Sequence, residues 1–295
     1  MQYVKLGMSD LTISRISLGC MSLGVDHAEN ARLIHHALDL GVNMLDTADL
    51  YDKGLNEETV GKAVKGRRDK VILATKVGNQ WRPDGSGWDW NPGKTYIKQA
   101  VHESLRRLQT DYIDLYQLHG GTLDDPTEES IAAFEELKEE GHIRYYGISS
   151  IRPNVINKWL KEANLTSIMS QYSLLDRRPE EQTFGWIREA GVGVLVRGAV
   201  ARGLLAGKPS KAYLGHSQES IQKLQEDMQQ LGVKPSHIAI QFALRNPAVS
   251  TVVMGASSAK QISENVEAVT AAKLSEEEWG EITSFIPAMR YEKHR

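Results

Sequence analysis

The stretch Ala28-Glu29-Asn30-Ala31-Arg32-Leu33-Ile34-His35-His36-Ala37-Leu38-Asp39-Leu40-Gly41-Val42-Asn43-Met44-Leu45-Asp46 decides the fold. Ala31, Ile34 and Leu38 fall on one helical face, with Leu33, Ala37 and Leu40 beside them. Gly41 stands where a left-handed residue ends a helix. Residues 42–46 then form a short, mostly apolar run closed by a carboxylate, the pattern of a buried strand.

The same unit recurs in both directions. A strand at 16–19 precedes it, and a helix at 57–65 and a strand at 71–74 follow. Helices are predicted at 95–108, 127–140, 153–162 and 180–190, each leading into a strand, at 112–118, 143–148, 167–171 and 192–196, after the helix before it. Helices at 218–231 and 235–244 precede a last strand at 251–254, and helices at 259–268 and 275–285 end the chain. Residues 3–6 and 11–14 alternate in character around a Gly7-Met8-Ser9-Asp10 turn, which predicts an N-terminal β-hairpin.

After the hairpin there are eight strands, each followed by a helix. Eight such units close more naturally into a (β/α)8 TIM barrel than into an open sheet. A doubly wound sheet is the main alternative, but no Gly-x-Gly-x-x-Gly turn follows the first strand. No linker or low-complexity tract interrupts the pattern. We therefore expect one α/β domain over 1–295, a barrel with an N-terminal β-hairpin and extra C-terminal helices.

Composition narrows the function class. The net charge of −3 gives no reason to expect nucleic acid as a partner. The single cysteine, Cys20, excludes an internal disulfide and suits a reducing compartment. The N-terminus has no signal pattern, and no apolar run reaches the roughly 20 residues a bilayer needs. The expectation is a cytoplasmic monomer or weak homo-oligomer with a small-molecule substrate and no membrane partner. His35 and His36 lack metal-ligand spacing, and no metal is assigned.

In this barrel, chemistry sits at the carboxyl ends of the strands. Asp46 ends one strand and Tyr51 lies in the loop after it; Lys76 and His119 end the next two. Each alone has an ordinary explanation, as a cap, a solvated cation or a packed ring. Together they should converge on one small volume. An ammonium beside a phenol lowers the phenol's pKa, and a carboxylate keeps the ammonium charged. Such a set can donate a proton to an oxygen on which negative charge is growing.

The stretches 45–51, 74–76 and 118–119 together closely resemble the aldo-keto reductase superfamily, of bacterial type. The resemblance runs from the hairpin to Asn265. It implies a (β/α)8 barrel, an NADP(H) cofactor held in extended form, and reduction of aldehydes and ketones to alcohols, the chemistry of a carbonyl reductase or alcohol dehydrogenase. It implies a catalytic tetrad of Asp46, Tyr51, Lys76 and His119, with Tyr51 as general acid and with Tyr51 and His119 touching the substrate.

The resemblance also implies cofactor residues. Gly19, Met21 and Asp46 belong to the first two strand ends. Ser149 matches a serine that contacts the nicotinamide carboxamide, Ser150 stands where the family usually has asparagine, and Gln171 matches a glutamine at the same end of the ring. The stretch 197–205, with Arg197, Gly198, Val200, Arg202 and Gly203, matches a loop often reading Tyr-Ser-Pro-Leu-x-Arg-Gly-Leu-Leu. Arg197 therefore replaces the aromatic under the nicotinamide. A guanidinium can stack on a ring, and its charge should favour the reduced cofactor over the cationic oxidised one. Ser257, Lys260, Gln261, Glu264 and Asn265 match the adenosine 2′-phosphate and adenine segment. Many relatives have arginine where Gln261 stands, which weakens the case for NADP over NAD.

The loop 77–90 is long for a barrel and holds Trp81, Trp88 and Trp90. Such aromatics either line a pocket for apolar carbonyls or pack the loop onto the barrel; Trp81 is the candidate substrate contact. The runs 176–178 and 65–68 read as solvated surface, as do Asp49, Asp52 and Lys53. Two other functions compete: an NADPH-binding regulatory module with little turnover, and an aldolase barrel using Lys76 as a Schiff-base amine.

Overall fold

A computed structural model describes residues 1–295. A hairpin of β1 (Tyr3–Lys5) and β2 (Thr12–Ser14) opens the chain. The following elements are β3 (Ile16–Gly19), α1 (His27–Asp39), β4 (Met44–Asp46), α2 (Leu55–Val64) and β5 (Ile72–Val77). A short antiparallel pair, β6 (Asn79–Trp81) and β7 (Trp88–Trp90), precedes α3 (Lys94–Leu108) and β8 (Ile113–Leu118). Then come α4 (Thr127–Glu139), β9 (Ile143–Ser149), α5 (Pro153–Glu162), β10 (Ser167–Gln171), α6 (Thr183–Glu189) and β11 (Gly193–Arg197). The chain ends with α7 (Gln218–Gln230), α8 (Pro235–Arg245), β12 (Val249–Gly255), α9 (Ala259–Glu267) and α10 (Glu276–Phe285).

Strands β3, β4, β5, β8, β9, β10, β11 and β12 close into a barrel, all parallel, with β12 returning to β3 through Val252–Ile16. This is a (β/α)8 barrel. Gly41 ends α1 at φ 87°. Its carbonyl accepts the Tyr3 hydroxyl, so the same turn ties α1 to the hairpin.

Two cores result. The larger lies between strands and helices. The smaller fills the barrel: Met44, Ala74, Leu115, Met169, Leu195 and Val253, with Leu6, Leu11 and Ile13 of the hairpin segment closing one end. Side chains alternate across a strand. Two residues beyond Met44, Ala74, Leu115, Met169 and Leu195 stand Asp46, Lys76, Gln117, Gln171 and Arg197. A polar layer thus caps the apolar interior at the strand carboxyl ends.

Several local readings change. The loop 77–90 contains the β6–β7 hairpin. The predicted helix 180–190 is a 3-10 turn over Arg178–Glu181 and a shorter α6, separated at Gln182 (φ −151°). Asp176 is buried and paired with Arg178, not solvated. Arg68 pairs with the buried Asp114 and donates to the Val71 and Tyr112 carbonyls. Asp49 is buried too, while Asp52 and Lys53 are exposed as expected.

Candidate active site

The polar layer brings the four expected groups together. Lys76 is buried, and its Nζ donates to Asp46 Oδ2 at 2.7 Å, the Thr47 carbonyl at 2.7 Å and the Tyr51 hydroxyl oxygen at 3.3 Å. An ammonium has three N–H bonds, so all are engaged. Because Lys76 donates to the phenol oxygen, the Tyr51 proton must point elsewhere. The His119 ring lies edge-on to Tyr51, with centroids 5.8 Å apart.

The charges follow from burial and neighbours. Burial alone lowers the Lys76 pKa, but Asp46 and Tyr51 outweigh it and leave the ammonium above its ordinary range. Burial pushes the Asp46 carboxyl up, opposed by Lys76 and by Gln117, whose Nε2 lies 3.5 Å from Asp46 Oδ1. The Tyr51 pKa corrects the expectation from sequence: burial raises it, and Lys76 offsets that only in part. Tyr51 is therefore a protonated phenol at neutral pH. Burial first, then Lys76 and Arg197, bring His119 down to about 3, so its imidazole is neutral. Only its Nδ1 is buried without a partner, which leaves Nε2 as the nitrogen able to meet an incoming oxygen.

The Tyr51 loop is shaped by force from behind. Asp52, Lys53 and Gly54 take successive left-handed φ values of 49°, 55° and 87°. A Cβ on Gly54 would lie 2.7 Å from Arg107 Cδ. Arg107 is held there by Glu57, fully buried, at 2.6 Å. Glu57 also accepts the Thr75 hydroxyl at 2.5 Å. The strain that aims Tyr51 is thus supported by a second buried charge cluster.

A model of the aldo/keto reductase family matches residues 15–287. The chain belongs to the aldo/keto reductase family. It is an oxidoreductase, and the family's cofactor is a nicotinamide dinucleotide. The chain is 49% identical to the uncharacterized oxidoreductase YqkF of Bacillus subtilis (strain 168), over 99% of this chain and 98% of that one. It is similar to the holo form of aldo-keto reductase AKR11C1 from Bacillus halodurans, with a TM-score of 0.96, 55% identity, and 100% and 99% of the two chains covered. Glycerol dehydrogenase AKR11B4 from Gluconobacter oxydans aligns with a TM-score of 0.83 at 26% identity, over 96% and 94%.

In this aldo/keto reductase the rim divides in two. Asp46 and Lys76 come from β4 and β5, and Tyr51 and His119 from the loops after β4 and β8. The residues expected to hold the cofactor come mainly from the consecutive strands β9, β10, β11 and β12. Ser149 ends β9 half-buried; Ser150 is buried, and its Oγ accepts from Arg152 N at 3.2 Å. Arg197 Nη1 donates to Gln171 Oε1 at 3.0 Å. Gly198 is exposed and Val200 half-buried; Ala201, Arg202, which lies near the Tyr213 ring, and Gly203 form a left-handed run.

Gly19 and Gly255 face each other in register between β3 and β12. A Cβ on Gly19 would lie 3.2 Å from Val253 Cγ1, and one on Gly255 would press on Ser22, so both glycines let β3 and β12 pack closely at this rim. Met21 is exposed beside it. Just before α9, Ser257 donates from its N and Oγ to Gln261 Oε1 at 2.8 and 3.2 Å; Ser258 caps the helix, and Lys260 in its first turn is exposed. Lys234 lies 3.6 Å from Glu264, and Asn265 is half-buried next to it. Cations, hydroxyls and a helix N-terminus along one arc fit an extended dinucleotide.

Of the three tryptophans, Trp90 anchors the hairpin by donating to Asp125 at 2.9 Å, and Trp88 is exposed. Trp81 lies under Lys53, and its buried Nε1 has no partner. Sequence reasoning gave no role to Gln117 or Asp176. Gln117 was within reach: it lies two residues before His119 and, by strand alternation, faces the same interior as Lys76. Cys20 is buried, and burial pushes its thiol up.

Proposed function

We propose that the protein reduces aldehydes and ketones to alcohols with NADPH, with Tyr51 as the general acid, in a single cytoplasmic barrel domain over residues 1–295. When bound, the reduced nicotinamide supplies hydride. The observation that carries the reading is the saturation of Lys76. Its three N–H bonds go to Asp46, Thr47 and Tyr51, so the Tyr51 proton is free for a substrate oxygen.

A carbonyl oxygen placed between Tyr51 and His119 would meet two donors, the phenol and the neutral imidazole Nε2–H. As charge grows on that oxygen, both bonds strengthen, which lowers the barrier rather than only tightening binding. Tyr51 then gives up its proton, and Lys76 stabilises the phenolate left behind. Water regenerates the phenol. Asp46 keeps Lys76 positioned and charged. Ser149, Ser150 and Gln171 would hold the carboxamide end, Arg197 would lie against the ring, and the arc from Gly198 to Gly203 and from Ser257 to Asn265 would take the phosphates and adenosine. Trp81 would bound the substrate side.

A Schiff-base aldolase is disfavoured because Lys76 is held as an ammonium with no free N–H. The test is NADPH consumption by wild type and Tyr51→Phe over an aldehyde and ketone panel. Tyr51→Phe should bind NADPH normally and lose about 10²–10⁴ in turnover. Equal rates would remove Tyr51 from the acid role. No turnover by either protein, with NADPH bound, would favour the regulatory module.

A further inference from the structure

We propose that Asp176 is a positioning residue for the nicotinamide end of the cofactor, acting through the Gln171 amide to hold Arg197 as the platform for the ring. This rests on the cofactor arrangement proposed above.

Asp176 is only 1% exposed. Its Oδ2 accepts from Gln171 Nε2 at 2.7 Å. Its two oxygens also take Arg178 Nε and Nη2 at 2.7 and 2.8 Å. On the other side of the amide, Gln171 Oε1 accepts from Arg197 Nη1 at 3.0 Å. The Tyr213 hydroxyl lies 3.3 Å from Gln171 Nε2, so the amide has partners on both ends.

A carboxylate accepts only and a guanidinium donates only. One amide orientation satisfies both. The flipped amide would set oxygen against the carboxylate and NH₂ against the guanidinium. Asp176 therefore locks Gln171 in the orientation that turns its oxygen toward Arg197. The carboxylate also polarises the amide and strengthens its oxygen as an acceptor.

Arg197 forms no ion pair, and Gln171 is its one side-chain hydrogen-bond partner. A carboxylate in direct contact would cancel its charge and tie up its edge bidentately. A neutral amide between the two holds the guanidinium in place while leaving its face and its charge free. That is what a cationic platform needs if it is to distinguish a neutral reduced ring from a cationic oxidised one.

The test uses equilibrium binding, independent of turnover. Dissociation constants for NADPH and for NADP+ are measured by quenching of protein fluorescence in wild type, Arg197→Met, Asp176→Asn and the double variant. Arg197→Met is expected to change the NADPH to NADP+ affinity ratio by about fivefold or more in the wild-type background, and by less than about twofold beside Asp176→Asn. Gln171→Met, which leaves the Asp176–Arg178 pair intact, should abolish the same coupling and decides the matter if Asp176→Asn does not fold. If the effect of Arg197→Met is the same in all backgrounds, Asp176 acts on loop structure alone and the proposal is wrong. If Arg197→Met by itself leaves the ratio unchanged, the platform reading fails and this proposal with it.

Discussion

Replacing Asp49 by asparagine should stabilise the protein, and increasingly so as pH rises. Asp49 is buried two residues before Tyr51. Its Oδ2 accepts the Tyr96 hydroxyl at 3.4 Å, and its Oδ1 has no partner. Burial, and then the nearby Glu57 carboxylate, push its pKa up to about 8, with Arg107 pulling the other way. In an unfolded chain an aspartate titrates near ~3.9. Between those values the folded protein keeps a proton that the unfolded chain releases, so stability falls as pH rises. The slope is about 1.4 kcal/mol per pH unit, and the loss levels off above the folded pKa. Asparagine has no such dependence. The advantage of Asp49→Asn should be near zero at about pH 4 and widen by about 2.5 kcal/mol between pH 6 and pH 8. Equilibrium urea unfolding of both proteins at the two pH values measures this. A gap that stays constant, or narrows toward pH 8, would refute the argument that Asp49 is held protonated.

Lys76→Met leaves the Asp46 carboxylate buried without its cation and should cost about 3–5 kcal/mol in urea unfolding, much of it recovered by adding Asp46→Asn; a cost under about 1 kcal/mol would contradict the pairing. With His119 brought down to about 3, kcat/KM should show no imidazole limb between about pH 5 and 8; a limb near 6 that vanishes in His119→Gln would contradict a neutral imidazole. Trp90→Ala should lower the thermal midpoint by removing the anchor to Asp125, whereas Trp81→Ala should spare it and raise KM for apolar carbonyls several-fold; the reverse pattern would exchange their roles.

The eight barrel strands were legible because parallel strands covered on both faces are largely apolar, as at 71–74 and 192–196. The β6–β7 hairpin was not, since Asn79-Gln80-Trp81 and Trp88-Asp89-Trp90 are short and stand at the rim, where no buried face imposes a pattern. The meeting of Asp46, Tyr51, Lys76 and His119 was readable from strand-end positions. Their protonation was not: proximity of Lys76 to Tyr51 argued for a lowered phenol pKa, and only the extent of burial shows that desolvation wins.

Hydrophobic periodicity and the residues closing each strand determined, without coordinates, a parallel barrel and the four side chains gathered at its rim. Period and position along a strand are local properties, and a chain carries them in its order of residues. The tertiary structure decided what lies beneath a charge. Asp49, Asp176 and Arg68 read in sequence like any solvated loop residue, yet each is enclosed or paired because distant segments fold over it. Desolvation depends on everything that surrounds a group, and no short stretch of sequence records that.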